Sequence, residues 1–168
     1  MADRRRPRDR REFEIAIICA LPIESDAVEA LFDEFWEDHT YGKAAGDTNT
    51  YTLGRIGHHD VVLAFMPGMG KGHSASVAAA FRSSFEGIKL GLVVGICGGV
   101  PREAEHGEEI LLGDVVISTG LVQYDFGRQL SDRVRRKDTL QDNLGRPNME
   151  IRGFLSNNTS THLTDLYE

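Results

Sequence analysis

The sequence predicts an α/β fold, and three observations carry that expectation. Residues 13–20 (Phe-Glu-Ile-Ala-Ile-Ile-Cys-Ala) form a near-continuous apolar run, the mark of a strand buried on both faces as in a parallel sheet. Pro22 then stops the strand and suits the first turn of a helix. The order that follows, helix, hairpin, helix and strand, is the alternation of an α/β sandwich. At 168 residues and 40% apolar content the chain can fill one core, and it carries no internal repeat.

Taken in order, Ala27, Val28, Ala30, Leu31, Phe32, Phe35 and Trp36 recur at three- and four-residue spacing, which predicts an amphipathic helix over 23–37. Residues 40–49 read as a loop. Tyr51–Ile56 and 61–66 read as strands joined at Gly57-His58-His59-Asp60, a hairpin. A helical pattern over 74–86 carries a small face of Ala75, Ala78 and Ala79. Residues 90–96 predict a second buried strand, and 114–119 a third, with 121–126 as its continuation. From 127 to 148 the chain is polar, with Gly145, Pro147 and Asn148 as breakers; 151–155 begins a helix. The domain organisation read from this is a disordered basic leader at 1–12, a domain at 13–155 and an irregular tail at 156–168.

Charge is unevenly placed. The first eleven residues hold six arginines against Asp3 and Asp9, a local +4 in a chain of net −7, which leaves −11 for the remainder. An acidic body argues against a specific nucleic-acid groove, since such affinity comes mainly from neutralising phosphates. The arginine run reads as a solvated leader, with a polyanion-binding or nuclear-import patch as the alternative. No apolar stretch of ~18 residues is present and the N-terminus lacks a signal-peptide core, so neither a membrane span nor secretion is expected. Cys19 and Cys97 lie in apolar runs and read as reduced thiols of a cytoplasmic protein, with a nuclear one as the alternative. No His/Cys cluster has metal-ligand spacing, and no cofactor is expected.

Three segments carry chemistry. Glu24 sits just past the first strand, where ligands of open α/β sheets collect. A carboxylate there can serve as general base for water, or it can simply stabilise a helix N-terminus. Gly68-Met69-Gly70 follows a strand and precedes a helix, so its amides can face a ribose or an anion, with Lys71 and His73 beside it. It is not a Walker A loop, because Gly72 follows Gly70-Lys71 and Phe65 stands where that loop opens on glycine. Gly95-Ile96-Cys97-Gly98-Gly99 likewise lacks the dinucleotide fingerprint. His58 and His59 read as solvated turn residues. Tyr124-Asp125-Phe126-Gly127-Arg128 offers an aromatic ring and a guanidinium for stacking or a phosphate, or else packing and a surface charge.

Four motifs in this order resemble the nucleoside phosphorylase / methylthioadenosine nucleosidase superfamily over about residues 13–155. They are Ile17-Ile18-Cys19-Ala20-Leu21-Pro22-Ile23-Glu24, Pro67-Gly68-Met69-Gly70-Lys71, Val94-Gly95-Ile96-Cys97-Gly98-Gly99-Val100 and Gly113-Asp114-Val115-Val116-Ile117-Ser118. The set is most similar to the version carried by fungal multidomain proteins, NLR-like immune receptors among them. The resemblance implies a three-layer α/β/α sandwich around a mixed sheet, often homo-oligomeric, that cleaves N-glycosidic bonds of nucleosides without a cofactor or metal. By position it assigns Glu24 to the activation of water, Met69 with Gly68 and Gly70 to the ribose, and Ile96, Cys97 and Gly98 to the turn lining the ribose and the nucleophile.

Departures sharpen the expectation. Phosphorylases of this superfamily commonly place Ser or Thr where Ile96 stands, and the hexameric ones place Arg where Val93 stands. An apolar wall supplies no cations or donors to a phosphate, so hydrolysis is favoured over phosphorolysis, although the nucleosidase serine is absent as well. The family's later Met-Glu pair and purine-protonating aspartate have no counterpart in the chain, which therefore reads as an incomplete domain with its C-terminal half missing. The expected function is cleavage of purine nucleosides or nucleotides by water, with Lys71, His73 and Arg128 as candidate phosphate contacts. A phosphate-dependent phosphorylase and a catalytically inactive nucleoside-binding module of a signalling protein are the alternatives.

Overall fold

The computed structural model describes residues 5–68, 70–99, 109–118, 120, 121, 123, 125–137, 139 and 147–159. The chain divides into two units, Met1–Gly98 and Gly99–Glu168.

The first unit is a five-stranded sheet built from β1 (Ile15–Cys19), β2 (Glu34–Trp36), β3 (Tyr51–Ile56), β4 (His59–Phe65) and β5 (Leu90–Val93), in the order β2-β3-β4-β1-β5. It is mixed: β1 runs parallel to β4 and β5, whereas β2, β3 and β4 pair antiparallel. Helices α1 (Pro22–Glu29) and α2 (Lys71–Ser84) cover opposite faces. Strand alternation separates the two cores. Ile17, Cys19, Val61 and Leu63 point to Val28 of α1 and to Phe32. Ala16, Leu53, Val62 and Ala64 point to Val77 and Phe81 of α2 and to Phe85. With both faces covered, β1 and residues 61–64 of β4 are apolar on successive positions, which is why the first run looked as it did. The three-layer α/β expectation holds, as do the hairpin at 51–66 and a helix close to 74–86.

Three expected elements are corrected. The helix expected over 23–37 ends at Glu29, and Glu34–Trp36 is a strand paired with 53–55 of β3. Phe32, Phe35 and Trp36 suit either period; what decides is the edge of β3, where Asp33 donates to Arg55 O at 2.8 Å and Gly54 leaves room for Phe32. A Cβ on Gly54 would lie 2.2 Å from Phe32 Cδ1. The strand at 90–96 stops at Val93, since Val94 N makes a last bond to Ile18 O and Ile96 is then drawn to a side chain. Residues 114–118 join no ladder among the described residues. A turn closed by Leu111 N donating to Asp114 Oδ2 precedes them, and Val115, Val116 and Ile117 are exposed.

The basic leader is docked over residues 5–12. Arg6 lies over the rings of Trp36 and Tyr41, Tyr41 donates to Pro7 O, and the buried Arg55 donates to Arg5 O. Arg55 stacks on Trp36 in turn, so the indole is flanked by two guanidiniums. Cation–π contacts and backbone bonds are what hold a segment that composition alone marks as solvated.

The second unit contains β6 (Gly127–Gln129) and β7 (Val134–Arg136), an antiparallel pair in the stretch read from sequence only as polar. It also contains α3 (Met149–Thr159), which runs four residues into the expected tail; 160–168 lie outside the described residues. Among the described residues no helix is long and apolar enough to cross a membrane.

Candidate functional site

The site is built at the carboxyl ends of three adjacent strands. Met66 N donates to Cys19 O at 2.9 Å and Val94 N to Ile18 O at 3.0 Å, so the chain leaves β4, β1 and β5 along one edge. The helices that follow β1 and β4 depart to opposite faces, which makes this edge the switch point where α/β sheets collect ligands. Pro22 opens α1 directly after the extended Leu21, and this short turn brings Glu24, the third helical residue, back over the end of β1.

There the carboxylate is 8% exposed and held by three backbone N–H groups. Ala20 N (3.0 Å) and Leu21 N (2.9 Å) donate to Oε2, and Ile96 N (2.8 Å) donates to Oε1. Glu24 thus joins the turn after β1 to the turn after β5. Gly95 permits the approach, since a Cβ on it would lie 2.8 Å from Oε1. The Ile96 N–H bond, then that of Leu21, hold the carboxyl below its ordinary value against the opposing effect of burial; the Ala20 bond adds to them. Buried Cys19, beneath it, has its thiol pushed up by burial and by the Glu24 charge. Both cysteines are free, and Cys97 is exposed.

The other sequence candidates distribute as follows. Ile96 and Gly98 are exposed on the turn that Glu24 holds, with Cys97 between them. Gly70 precedes α2 with φ +116°, a conformation that needs glycine. His73, in the first turn of α2, lies against Gly68, whose added Cβ would meet the imidazole at 3.4 Å. Lys71 opens the same helix. Met69 lies outside the described residues. Arg128 is on β6, in the second unit. Among the described residues no group of three or more His, Cys, Asp or Glu is placed to hold a metal ion.

Sequence reasoning missed the backbone donors at Ala20, Leu21 and Ile96, which leave no side-chain signal. It also missed a polar network beside α2. Asp47 accepts from Tyr51 OH, Asn49 N and the fully buried Ser84, whose Oγ also accepts from Ala44 N. The hydrogen bonds from Ser84, Tyr51 and Asn49, with Lys43 nearby, outweigh burial and hold the Asp47 carboxyl low; burial pushes the Tyr51 phenol up. A cleft of about 140 Å³ lined by His39, Gly42, Lys43, Tyr51, Leu53 and Phe85 adjoins this network and does not include Glu24.

A sequence model of the phosphorylase superfamily matches residues 14–146, which spans every part of this edge. The chain belongs to that superfamily. Its first unit is accordingly a nucleoside phosphorylase-like α/β sheet. The chain is also 34% identical over 131 residues to a nucleotide-binding leucine-rich repeat (NLR)-like protein of Hyaloscypha variabilis. That match covers 74% of this chain and 13% of the relative, so the chain spans a small part of the curated protein it resembles. No solved structure matches it.

Proposed function

We propose that this phosphorylase-superfamily domain cleaves the N-glycosidic bond of purine nucleosides or nucleotides, with water as the attacking group. The observation that carries the reading is the ionised Glu24 carboxylate, fixed at the switch-point edge and tied to the Ile96 turn. An ionised carboxylate offers about four acceptor positions, and three are occupied by backbone N–H groups. The fourth orients a water and takes its proton as oxygen bonds to C1′. The C1′–N bond breaks towards the purine, which leaves with the bonding pair and takes a proton from solvent, and Glu24 afterwards returns to solvent the proton it took from the water. Positive charge grows on the sugar meanwhile, and a carboxylate that needs no reorganisation stabilises it. Val93 and Ile96 support water over phosphate: both are exposed apolar side chains where a phosphate would need donors. Lys71 and His73, at the start of α2, are the residues we assign to the phosphates of a nucleotide.

A second reading rests on the same three bonds. A carboxyl held low is a weak base, so Glu24 also suits a nucleoside-binding module without turnover, in which it only braces two turns. Adenine release from adenosine, methylthioadenosine and ATP, with and without phosphate, tests the proposal. Phosphate-independent release of free sugar supports it. Ribose 1-phosphate formed only with phosphate overturns hydrolysis, and calorimetric binding without product supports the module.

A further inference from the structure

The β6–β7 hairpin concentrates cations in an otherwise acidic chain. Residues 125–137 hold five, Arg128, Arg133, Arg135, Arg136 and Lys137, against Asp125 and Asp132. The register pairs Arg128 with Arg135, and Lys137 N donates to Phe126 O at 2.9 Å while Leu130 N donates to Arg133 O at 2.8 Å. Because side chains alternate along a strand, Arg128, Arg133, Arg135 and Lys137 share one face with Phe126, and Arg136 lies on the other. Arg128 and Arg135 stand directly opposite, an arrangement that destabilises a bare hairpin through like-charge repulsion. Among the described residues neither makes an ion pair, and Arg133 has only its neighbour Asp132 at 3.9 Å. Lys137 Nζ sits 5.0 Å from the centre of the Phe126 ring, and both residues are exposed.

We propose that this face binds the backbone of a single-stranded polynucleotide without sequence preference. Arg133, Arg135 and Lys137 recur roughly every 7 Å along one strand, a line of charge suited to an extended phosphodiester chain, with Arg128 reinforcing its centre. Phe126 supplies what a simple ion-exchange surface lacks: an exposed ring on which a base can stack. The inference does not depend on Glu24 or on the glycosidic reading.

The test is fluorescence anisotropy of a labelled single-stranded oligothymidylate with the full chain, over a range of salt. Four phosphate contacts on a single strand give a log–log salt slope of about −2.8, or roughly a fifty-fold loss of affinity from about 50 to about 200 mM salt. Arg135→Gln is expected to reduce that slope by about 0.7. Phe126→Ala is expected to weaken binding about fivefold or more. Arg136→Gln removes the same charge from the opposite face and should leave the slope nearly unchanged. Equal effects of Arg135→Gln and Arg136→Gln would overturn the face assignment. Loss of binding on Arg8→Gln/Arg10→Gln instead would move the site to the leader, and binding of inorganic triphosphate but not the oligonucleotide would overturn the polynucleotide.

Discussion

Gly95→Ala isolates the contact on which the site depends. The added methyl would lie 2.8 Å from Glu24 Oε1 and 3.1 Å from Cδ, short of the 3.4 Å of ordinary contact by about 0.6 Å at the oxygen. The carboxylate is the mobile partner, yet Ala20 N and Leu21 N hold its other oxygen. Oε1 must therefore withdraw from Ile96 N, lengthening a 2.8 Å bond to about 3.4 Å, past the range of a good N–H···O bond. Two readouts follow. Exchange of the Ile96 amide should accelerate, because its acceptor is lost, while that of Leu21 should change little. Turnover should fall tens of fold, approaching the ~100-fold that an ångström of misplacement can cost. Gly91→Ala is the control, since nothing lies within 4 Å of a Cβ there. Unchanged Ile96 exchange would refute the geometric argument. Accelerated exchange with unchanged turnover would detach the brace from catalysis.

Three further outcomes follow from the Glu24 contacts and from the Asp47 network. Glu24 is held below its ordinary value of 4.5, so the acid limb of kcat/KM should fall below that pH; a limb at or above it would contradict an ionised, hydrogen-bonded base. Lowered carboxyls stabilise the fold above their unfolded values and lose that contribution as pH falls through the folded ones, so for Glu24 and Asp47 the loss should come below pH 4.5 and 3.8, as read by urea unfolding against pH. Ser84→Ala leaves the Ala44 N–H without its acceptor and removes one of the two donors to Asp47 Oδ2, Tyr51 OH remaining, at a cost of about 1–3 kcal/mol in urea unfolding. A change within the ~0.5 kcal/mol of an ordinary surface substitution would refute the network's role.

What could be read from the sequence was whatever local periodicity determines. β1 announced itself because both its faces are covered, and β3 and β4 because their pattern and turn agree. The 23–37 segment failed because Phe32, Phe35 and Trp36 satisfy helical spacing, while the outcome depended on a strand some twenty residues ahead. The β6–β7 hairpin was invisible for another reason: its alternation is among polar residues and cations, which carry no apolar signal. Residues 114–118 erred in the opposite direction, apolar enough for a strand yet with no ladder among the described residues. At the site, position was legible and partnership was not. Glu24 could be placed past β1, but its tie to Ile96 spans 72 residues and ends on a backbone amide, of which Gly95 is the only trace in the sequence.

The most direct measurement is the fate of labelled oxygen when adenosine or ATP is turned over in oxygen-18 water without phosphate. Attack by water at C1′ puts one heavy oxygen on the sugar's anomeric hydroxyl within a single turnover, before exchange with solvent, and Glu24→Gln should abolish it. Sugar released without the label, or as a phosphate ester only when phosphate is supplied, would contradict a water-cleaving site built around Glu24.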